Sequence, residues 1–278
     1  MLESDNVQCE WSRPMNDVAT TAKPTTISIA GADLEMLDRG SGAPILFLQS
    51  SQGLTAAEPF LGLLAKNRRL IAPSHPGFGR STLPDWLDSA EDIAHIYLEL
   101  MDRLNLNNLD LVGCSIGGWI AADMATKAPE RLKRLVLVGP VGVKTGPTDK
   151  LDVPDIFALP QDKLNALIYH DPKKSAPDFK TLPEPELQTF VRNRETLALI
   201  GWEPYMHNPK LKHRLHRVNV PTLLARGASD GLVSAEYLAS YAALLPNART
   251  VTVAEAGHVP HIEQPDKFAA TVLDFLAS

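Results

Sequence analysis

The sequence is poor in cysteine and has no excess of positive charge. Its two cysteines, Cys9 and Cys114, lie in a polar N-terminal stretch and in an apolar motif, so they form no framework of disulfide bonds. Lysine and arginine number 27 against 33 acidic residues, which gives a formal net charge of -6. A surface that binds nucleic acid or an anionic membrane needs clustered basic residues, so we expect neither partner.

Long apolar runs are missing as well. No segment approaches the length of a membrane span, and residues 1–23 lack the charged start and apolar stretch of a secretory signal. We therefore expect a cytoplasmic protein, with residues 1–24 as a flexible N-terminal tail. His207, His213 and His216 match no compact metal-ligand spacing and lie among lysines and arginines, which favours a solvated helix face. Neither a metal nor a cofactor is expected.

Short apolar runs alternate with helical periods along most of the chain. This alternation is typical of a mostly parallel sheet covered by helices on both faces. Eight strands are predicted, at residues 26–29, 34–38, 44–48, 69–72, 109–113, 135–138, 222–225 and 250–253. Helices are predicted at residues 55–66, 90–104, 117–127, 235–245 and 265–277. Ser89 is the expected N-cap of the second helix.

Residues 145–217 break the alternation. They contain nine prolines and no convincing strand pattern, but helical patterns occur at residues 161–169 and 185–200. Because structureless loops of this length are rare in compact domains, we predict a helical cap inserted into a core of residues 25–144 and 218–278. Phe157 and Trp202 are predicted to line the substrate pocket. The alternative is that the aromatic rings form the core of the cap itself.

Residues 113–118 read Gly-Cys-Ser-Ile-Gly-Gly and match the G-x-S-x-G pattern between a strand and a helix. A sharp strand-to-helix turn lifts the serine hydroxyl above the edge of the sheet, and flanking glycines allow the neighbouring backbone to approach closely. The helix that follows presents free N–H groups toward the site. Ser115 is therefore the candidate nucleophile.

Two further candidates follow later strands. Asp230 lies in a Gly-Ala-Ser-Asp-Gly segment after the strand at 222–225, and His258 lies in Ala-Gly-His-Val-Pro-His after the strand at 250–253. The carboxyl ends of parallel strands meet at one edge of the sheet, where open α/β sheets place their sites. The order Ser, Asp, His predicts a triad in which His258 is the general base and Asp230 orients it. His261 is the nearest rival base, and we interpret it as structural.

These motifs, together with Pro-Gly-Phe-Gly-Arg-Ser at 76–81 and Glu-Gln-Pro at 263–265, resemble those of the α/β-hydrolase superfamily. Within the superfamily, the chain resembles the capped branch of ester, lactone and carbon-carbon bond hydrolases. The resemblance runs from about residue 25 to the C-terminus and implies the α/β-hydrolase fold with a triad at the three matching positions. Three features depart from the family pattern. Residues 139–142, after the sixth strand, contain no carboxylate, so the alternative acid position of some relatives is empty and Asp230 stands alone. Residues 49–53 read Gln-Ser-Ser-Gln-Gly in place of a His-Gly pair, and Ser74 replaces an acidic residue, which we interpret as packing variation.

The resemblance implies a serine hydrolase that acts on a small-molecule carboxylic ester, lactone or thioester through an acyl-enzyme on Ser115. The oxyanion hole needs two donors, and we predict the backbone N–H groups of Ile116 and Ser51. Serine at the elbow disfavours haloalkane dehalogenases and epoxide hydrolases, which use a carboxylate there. Two alternatives stay open: a carbon-carbon bond hydrolase of ring-cleavage diketones, and a slow-turnover ligand receptor. The expected partner is the small-molecule substrate, and a homo-oligomer stays open.

Overall fold

The computed structural model describes residues 24–278, which contain one eight-stranded sheet. The strand order is β1-β2-β4-β3-β5-β6-β7-β8, and all neighbours are parallel except the pairs β1–β2 and β2–β4. The predicted tail at residues 1–24 lies, apart from Pro24, outside the described residues. The strands are β1 Thr25–Ile29, β2 Ala32–Arg39, β3 Pro44–Leu48, β4 Arg69–Pro73, β5 Leu109–Cys114, β6 Leu132–Val138, β7 Thr222–Gly227 and β8 Ala248–Val253.

Helices cover both faces of this sheet, so the predicted fold class is confirmed. Ser89 caps the helix at Ala90–Arg103, as predicted: its side chain accepts a hydrogen bond from Asp92 N while the Asp92 carboxylate accepts one from Ser89 N. This capping box satisfies two amide groups that the first turn leaves without partners. The helices are α1 Gly53–Leu64, α2 Ala90–Arg103, α3 Ile116–Lys127, α4 Gln161–Ile168, α5 Pro172–Ser175, α6 Glu184–Gly201, α7 Ala235–Ala242, α8 Pro260–Glu263 and α9 Pro265–Ala277.

Two apolar clusters lie on the two faces of the sheet. One contains Tyr97 from α2 and Trp119 from α3, and the other contains Phe60 from α1 and Phe268 from α9. Strand β5 runs between the clusters with all six residues buried, as expected for a central parallel strand. Burial of each large apolar side chain contributes about 2–3 kcal/mol, so this double-sided core is the main source of stability.

The segment between β6 and β7 contains helices α4, α5 and α6 and only short 3-10 turns besides. The two helices predicted here, at 161–169 and 185–200, form within one residue at each end. Among the described helices, none combines the length and the apolar character needed to cross a bilayer.

Candidate active site

Ser115 lies between the end of β5 and the start of α3, in a backbone conformation that side chains rarely adopt. Its φ and ψ are 54° and −116°. A left-handed φ at a residue with a Cβ is strained, and such strain persists only where the surrounding structure enforces it. Close packing at Gly117 provides this constraint, because a Cβ there would lie 2.3 Å from Leu48 O. The N-terminus of α3 is thereby packed directly against the loop that follows β3.

Ser115, His258 and Asp230 form one chain of hydrogen bonds. Ser115 Oγ lies 2.8 Å from His258 Nε2, and His258 Nδ1 lies 3.0 Å from Asp230 Oδ2. A carboxylate can only accept, so Nδ1–H donates to Asp230 and Nε2 is left to accept from the serine hydroxyl. His258 and Asp230 are buried, which strengthens these bonds relative to water.

The carboxylate of Asp230 is held by its own loop. Its Oδ1 accepts hydrogen bonds from Leu232 N and Val233 N, both at 2.9 Å. The buried guanidinium of Arg226 donates to Asp230 O and Val233 O at 3.0 Å. Sequence reasoning missed Arg226, although an arginine within a buried strand is itself unusual and therefore a usable signal.

His261 does not compete with His258 for Ser115. Its ring packs against Phe47 and Phe60, with centroid separations of 6.3 and 6.0 Å. Desolvation by burial, aided by the nearby His258, lowers the pKa of His261 to about 3. A neutral, enclosed imidazole of this kind fills space in the apolar core.

The two predicted oxyanion donors lie beside Ser115. Ile116 is the first residue of α3, and Ser51 lines the same cavity as Ser115. Among the described residues, neither backbone N–H has a hydrogen-bond acceptor, so both are free to donate to a ligand. The neighbouring peptides are anchored, because Gly53 N donates to Ser50 O at 3.1 Å and Asn193 Nδ2 donates to Ser51 O at 3.3 Å.

Two of the departures from the family pattern, in the 49–53 stretch and at Ser74, contact each other. Gln49 Nε2 donates to Ser74 Oγ at 3.1 Å, and both side chains are buried. Ser74 therefore does more than vary the packing, because it holds a residue of the stretch that departs from the His-Gly pair. Ser81 Oγ in turn donates to Ser74 O at 2.8 Å, which ties this pair to the loop that follows β4.

A cavity opens above Ser115, and the segment of residues 145–217 forms more than half of its wall. From the core come Ser50, Ser51, Gln52, Ser115, Val141, Leu232, His258 and Val259. From the segment come Val153, Ile156, Gln161, Leu164, Asn165, Ile168, Tyr169, Pro177, Phe190, Arg194, Leu197 and Met206. The wall is therefore mainly apolar, with a few amide, phenol and guanidinium groups among the aliphatic side chains.

The prediction that Phe157 and Trp202 line this cavity is not met. Their rings pack against each other with centroids 5.6 Å apart, and Trp202 is 58% exposed. Helix α6 presents positions 190, 194 and 197 to the cavity, and Trp202 follows its last turn on a different side. The i, i+4, i+7 spacing was the signal for the lining residues, whereas aromatic character alone was misleading.

Residues 167–171, here called the strap, connect the exit of α4 to the loops that carry the acid and the base. Leu167 O accepts from Gly231 N at 2.9 Å, next to Asp230. Ile168 O accepts from His258 N at 2.6 Å. The backbone of the strap therefore fixes two members of the hydrogen-bonded chain.

Side chains add to the strap at both ends. The Glu263 carboxylate accepts from His170 N at 2.9 Å and from Gly257 N at 2.6 Å, so it joins the strap to the loop of the base. Tyr169 Oη donates to Gln52 Oε1 at 3.1 Å, which reaches the loop after β3. The loops after β3, β7 and β8 are thus all bonded to the segment between β6 and β7.

A family model described as the alpha/beta hydrolase family matches residues 44–271. The 2-hydroxymuconate semialdehyde hydrolase of Pseudomonas sp. (strain CF600) is 31% identical, over 90% of this chain and 93% of that protein. The 2-hydroxy-6-oxo-2,4-heptadienoate hydrolase of a Pseudomonas putida strain is 29% identical, over 89% and 94%.

Solved structures share the fold. The meta-cleavage product hydrolase from Pseudomonas fluorescens IP01 superposes with a TM-score of 0.75 at 21% identity, over 91% of this chain and 97% of that one. A thermophilic esterase from Thermogutta terrifontis superposes with a TM-score of 0.73 at 22% identity, over 92% and 98%. Both likenesses concern the fold.

Proposed function

Because the chain belongs to the alpha/beta hydrolase family, we propose that it is a serine hydrolase that cleaves a small carboxylic ester, lactone or thioester. The observation that supports this most directly is the hydrogen-bonded chain from Ser115 through His258 to Asp230, at 2.8 and 3.0 Å, beneath a mainly apolar cavity. Proximity and alignment of these three groups are what nucleophilic catalysis requires.

In the proposed reaction, Ser115 Oγ bonds to the carbonyl carbon while His258 Nε2 takes its proton. The oxygen that gains negative charge is stabilised by the N–H groups of Ile116 and Ser51. His258 then returns the proton to the departing alcohol or thiol, which leaves an acyl group on Ser115. Water, deprotonated by His258, releases the acid by the same steps in reverse, and Asp230 keeps Nδ1 protonated throughout.

We propose that residues 145–217 form the cap of this enzyme over a core of residues 25–144 and 218–278. The helices of this segment supply most of the cavity wall above Ser115. A wall built from an insertion lets substrate choice vary without altering the sheet.

Carbon-carbon bond hydrolysis of a ring-cleavage diketone is the second candidate. Relatives named for such substrates support it. Arg194 supports it as well: it lines the cavity, and its guanidinium donates to Ile156 O at 2.8 Å and pairs with no carboxylate among residues 24–278. A dienoate carries a carboxylate that would match this charge. In that reaction Ser115 Oγ bonds to the ketone carbon and gives its proton to His258. The bond from that carbon to its neighbour then breaks, the electron pair passes to the neighbour as a dienolate, and His258 returns the proton to that carbon.

A fluorophosphonate probe tests the nucleophile. The wild-type protein should be labelled, and Ser115→Ala should lose both labelling and about a millionfold in kcat, as in other serine hydrolases. Ser50→Ala is the matched control, because it removes another hydroxyl from the same cavity and should leave labelling intact. Labelling of Ser115→Ala at wild-type strength would contradict the proposal.

Steady-state turnover separates the candidates. An activated ester and 2-hydroxy-6-oxo-2,4-heptadienoate are assayed side by side, and the larger kcat/KM identifies the reaction. If the dienoate is the substrate, Arg194→Gln should raise its KM by about tenfold or more and leave the neutral ester unchanged. A ligand receptor on this fold would instead stall after about one equivalent of product.

A further inference from the structure

His75 is a fully buried histidine just after β4, outside the hydrogen-bonded chain of Ser115. Its Nε2 lies 2.9 Å from Gln49 O, and its Nδ1 lies 2.6 Å from Tyr97 Oη. A carbonyl oxygen only accepts, so Nε2–H donates to Gln49 O and Nδ1 accepts from the Tyr97 hydroxyl. The Gln49 carbonyl thus selects the tautomer, and the Tyr97 hydroxyl, which can donate or accept, supports it by donating to Nδ1.

The bond to Gln49 O completes a set of three anchors on consecutive carbonyl groups. Gln49 O is held by His75, Ser50 O by Gly53 N at 3.1 Å, and Ser51 O by Asn193 Nδ2 at 3.3 Å. In a trans peptide the N–H points opposite to the C=O, so anchoring Ser50 O also fixes the direction of Ser51 N–H. With the carbonyl on either side held as well, this peptide plane cannot rotate freely.

We propose that His75, oriented by Tyr97, is a positioning residue for the loop of residues 49–52, which presents Ser51 N–H to the cavity. This inference rests on the proposed function for its catalytic consequence. Its structural part, that His75 holds the loop, stands on the contacts alone.

The surroundings of His75 suit a permanent anchor. Desolvation by burial lowers the pKa of His75 to about 4, although its bond to Gln49 acts in the opposite direction. The imidazole is therefore neutral near pH 7 and has one N–H, which is committed to the loop. Phe78 packs edge-on against the ring, with centroids 5.2 Å apart and planes at 90°, and fixes its tilt.

Three variants test the anchor. His75→Leu removes the donor to Gln49 O and keeps an apolar side chain of similar size. His75→Gln restores an N–H donor at about the reach of Nε2 and serves as the rescue. Tyr97→Phe removes only the hydroxyl that donates to His75 Nδ1 and orients the ring. Tyr241→Phe is its matched control, since Tyr241 is equally buried, lies on α7 and has no hydrogen-bond partner for its hydroxyl among the described residues.

Hydrogen exchange of the peptide that covers residues 49–53 is the first measurement. We expect amides of this loop to exchange about tenfold faster in His75→Leu and in Tyr97→Phe, with wild-type rates in His75→Gln and Tyr241→Phe. Thermal melts confirm that each variant is folded, and Tyr97→Phe decides the question if His75→Leu does not fold. Unchanged exchange in both would overturn the inference, whatever the activity.

Kinetics supply the second measurement. If Ser51 N–H is no longer held in position, kcat should fall by about 10- to 100-fold with KM nearly unchanged. It should also reduce the preference for an ester over the matching thionoester, because sulfur uses the oxyanion donors poorly. A wild-type kcat and ester preference in a folded His75→Leu would contradict the catalytic role. Faster exchange in a protein without turnover would support the anchor and refute the proposed function.

Discussion

Ser51 offers two groups to a ligand, a hydroxyl and a backbone N–H, and substitution can separate them. Ser51→Ala keeps the N–H and should change kcat little. Ser51→Pro deletes the N–H and should lower kcat by about 10²- to 10³-fold, the loss seen when one oxyanion donor is removed. Steady-state kinetics on an activated ester measure both.

Proline also restricts the backbone, so circular dichroism and a thermal melt must first show that Ser51→Pro is folded. Ser50→Pro is the comparison at the neighbouring residue. If Ser51→Ala alone caused most of the loss, the hydroxyl would be the donor. A loss confined to Ser50→Pro would move the donor back by one residue.

At the scale of elements, the strap is a joint between the segment that bears α4 and the loop of His258. A Cβ at Gly257 would lie 2.2 Å from Ile168 O, which is a backbone atom and cannot rotate away as a flexible side chain could. Gly257→Ala must therefore displace the loop that positions the base. We expect kcat to fall by about 10²-fold with a smaller change in KM, measured by steady-state kinetics.

Gly62→Ala is the matched control for this substitution. Gly62 lies within α1, and an added Cβ there meets nothing within 4 Å. Alanine is a better helix former than glycine, so this variant should keep its activity and gain up to about 1 kcal/mol of stability. A wild-type kcat in Gly257→Ala would show that the strap does not position His258.

Helix α6 should control substrate length through Leu197, which lines the cavity. Leu197→Ala enlarges the apolar wall, so kcat/KM for longer acyl chains should rise relative to short ones. Trp202→Ala is the contrast, because Trp202 is exposed and lies outside the cavity. A series of p-nitrophenyl esters measures both profiles. A shift in Trp202→Ala and none in Leu197→Ala would reverse the assignment.

Most of the strands and helices could be predicted from the sequence, but few of the contacts between them could. Periodicity located all eight strands within three residues, and the signal is strongest in the central strands, which are buried on both faces. Helices α5 and α8 were missed, since four residues each are too few for a periodic signal. The strand ends also placed Ser115, Asp230 and His258, because the carboxyl edge of a parallel sheet gathers them.

The anchors around the site could not be predicted in this way. His75 and Gln49 are 26 residues apart, and Asn193 is 142 residues from Ser51, so no local pattern links them. The strap depends on backbone carbonyl groups, which have no side-chain signature. Such contacts follow from how α4 and α6 pack over the sheet, and that packing is tertiary information.

At the scale of the whole molecule, the core contains two neutral histidines, one associated with each face of the sheet. His75 packs with Tyr97 and Phe78 on one side, and His261 with Phe47 and Phe60 on the other. Burial lowers the pKa of His75 to about 4 and that of His261 to about 3. Both histidines gain charge more easily in the unfolded chain, where the pKa is near 6.5.

Stability should therefore fall as the pH falls through the window from about 6.5 to 4. In that range the unfolded state binds protons that the native state excludes, so the free energy of unfolding rises with pH. Above the window the stabilising contribution is complete. A shift from 6.5 to about 4 at His75 corresponds to about 3 kcal/mol at most. Urea unfolding at pH 7 and pH 4.5 measures the difference.

Substitution separates these histidines from carboxylates that also titrate at low pH. His261→Leu fills the same apolar site without a titratable group, so it should remove about 2 kcal/mol or more of the wild-type loss between pH 7 and 4.5. The matched control is His216→Gln, at an exposed histidine, which should follow the wild-type curve. Because the free energies of unfolding at the two pH values are compared within each variant, any pH-independent effect of the leucine on packing cancels. If His261→Leu and the wild-type protein lost equal stability over this range, the core histidines would not set the acid limit of the fold.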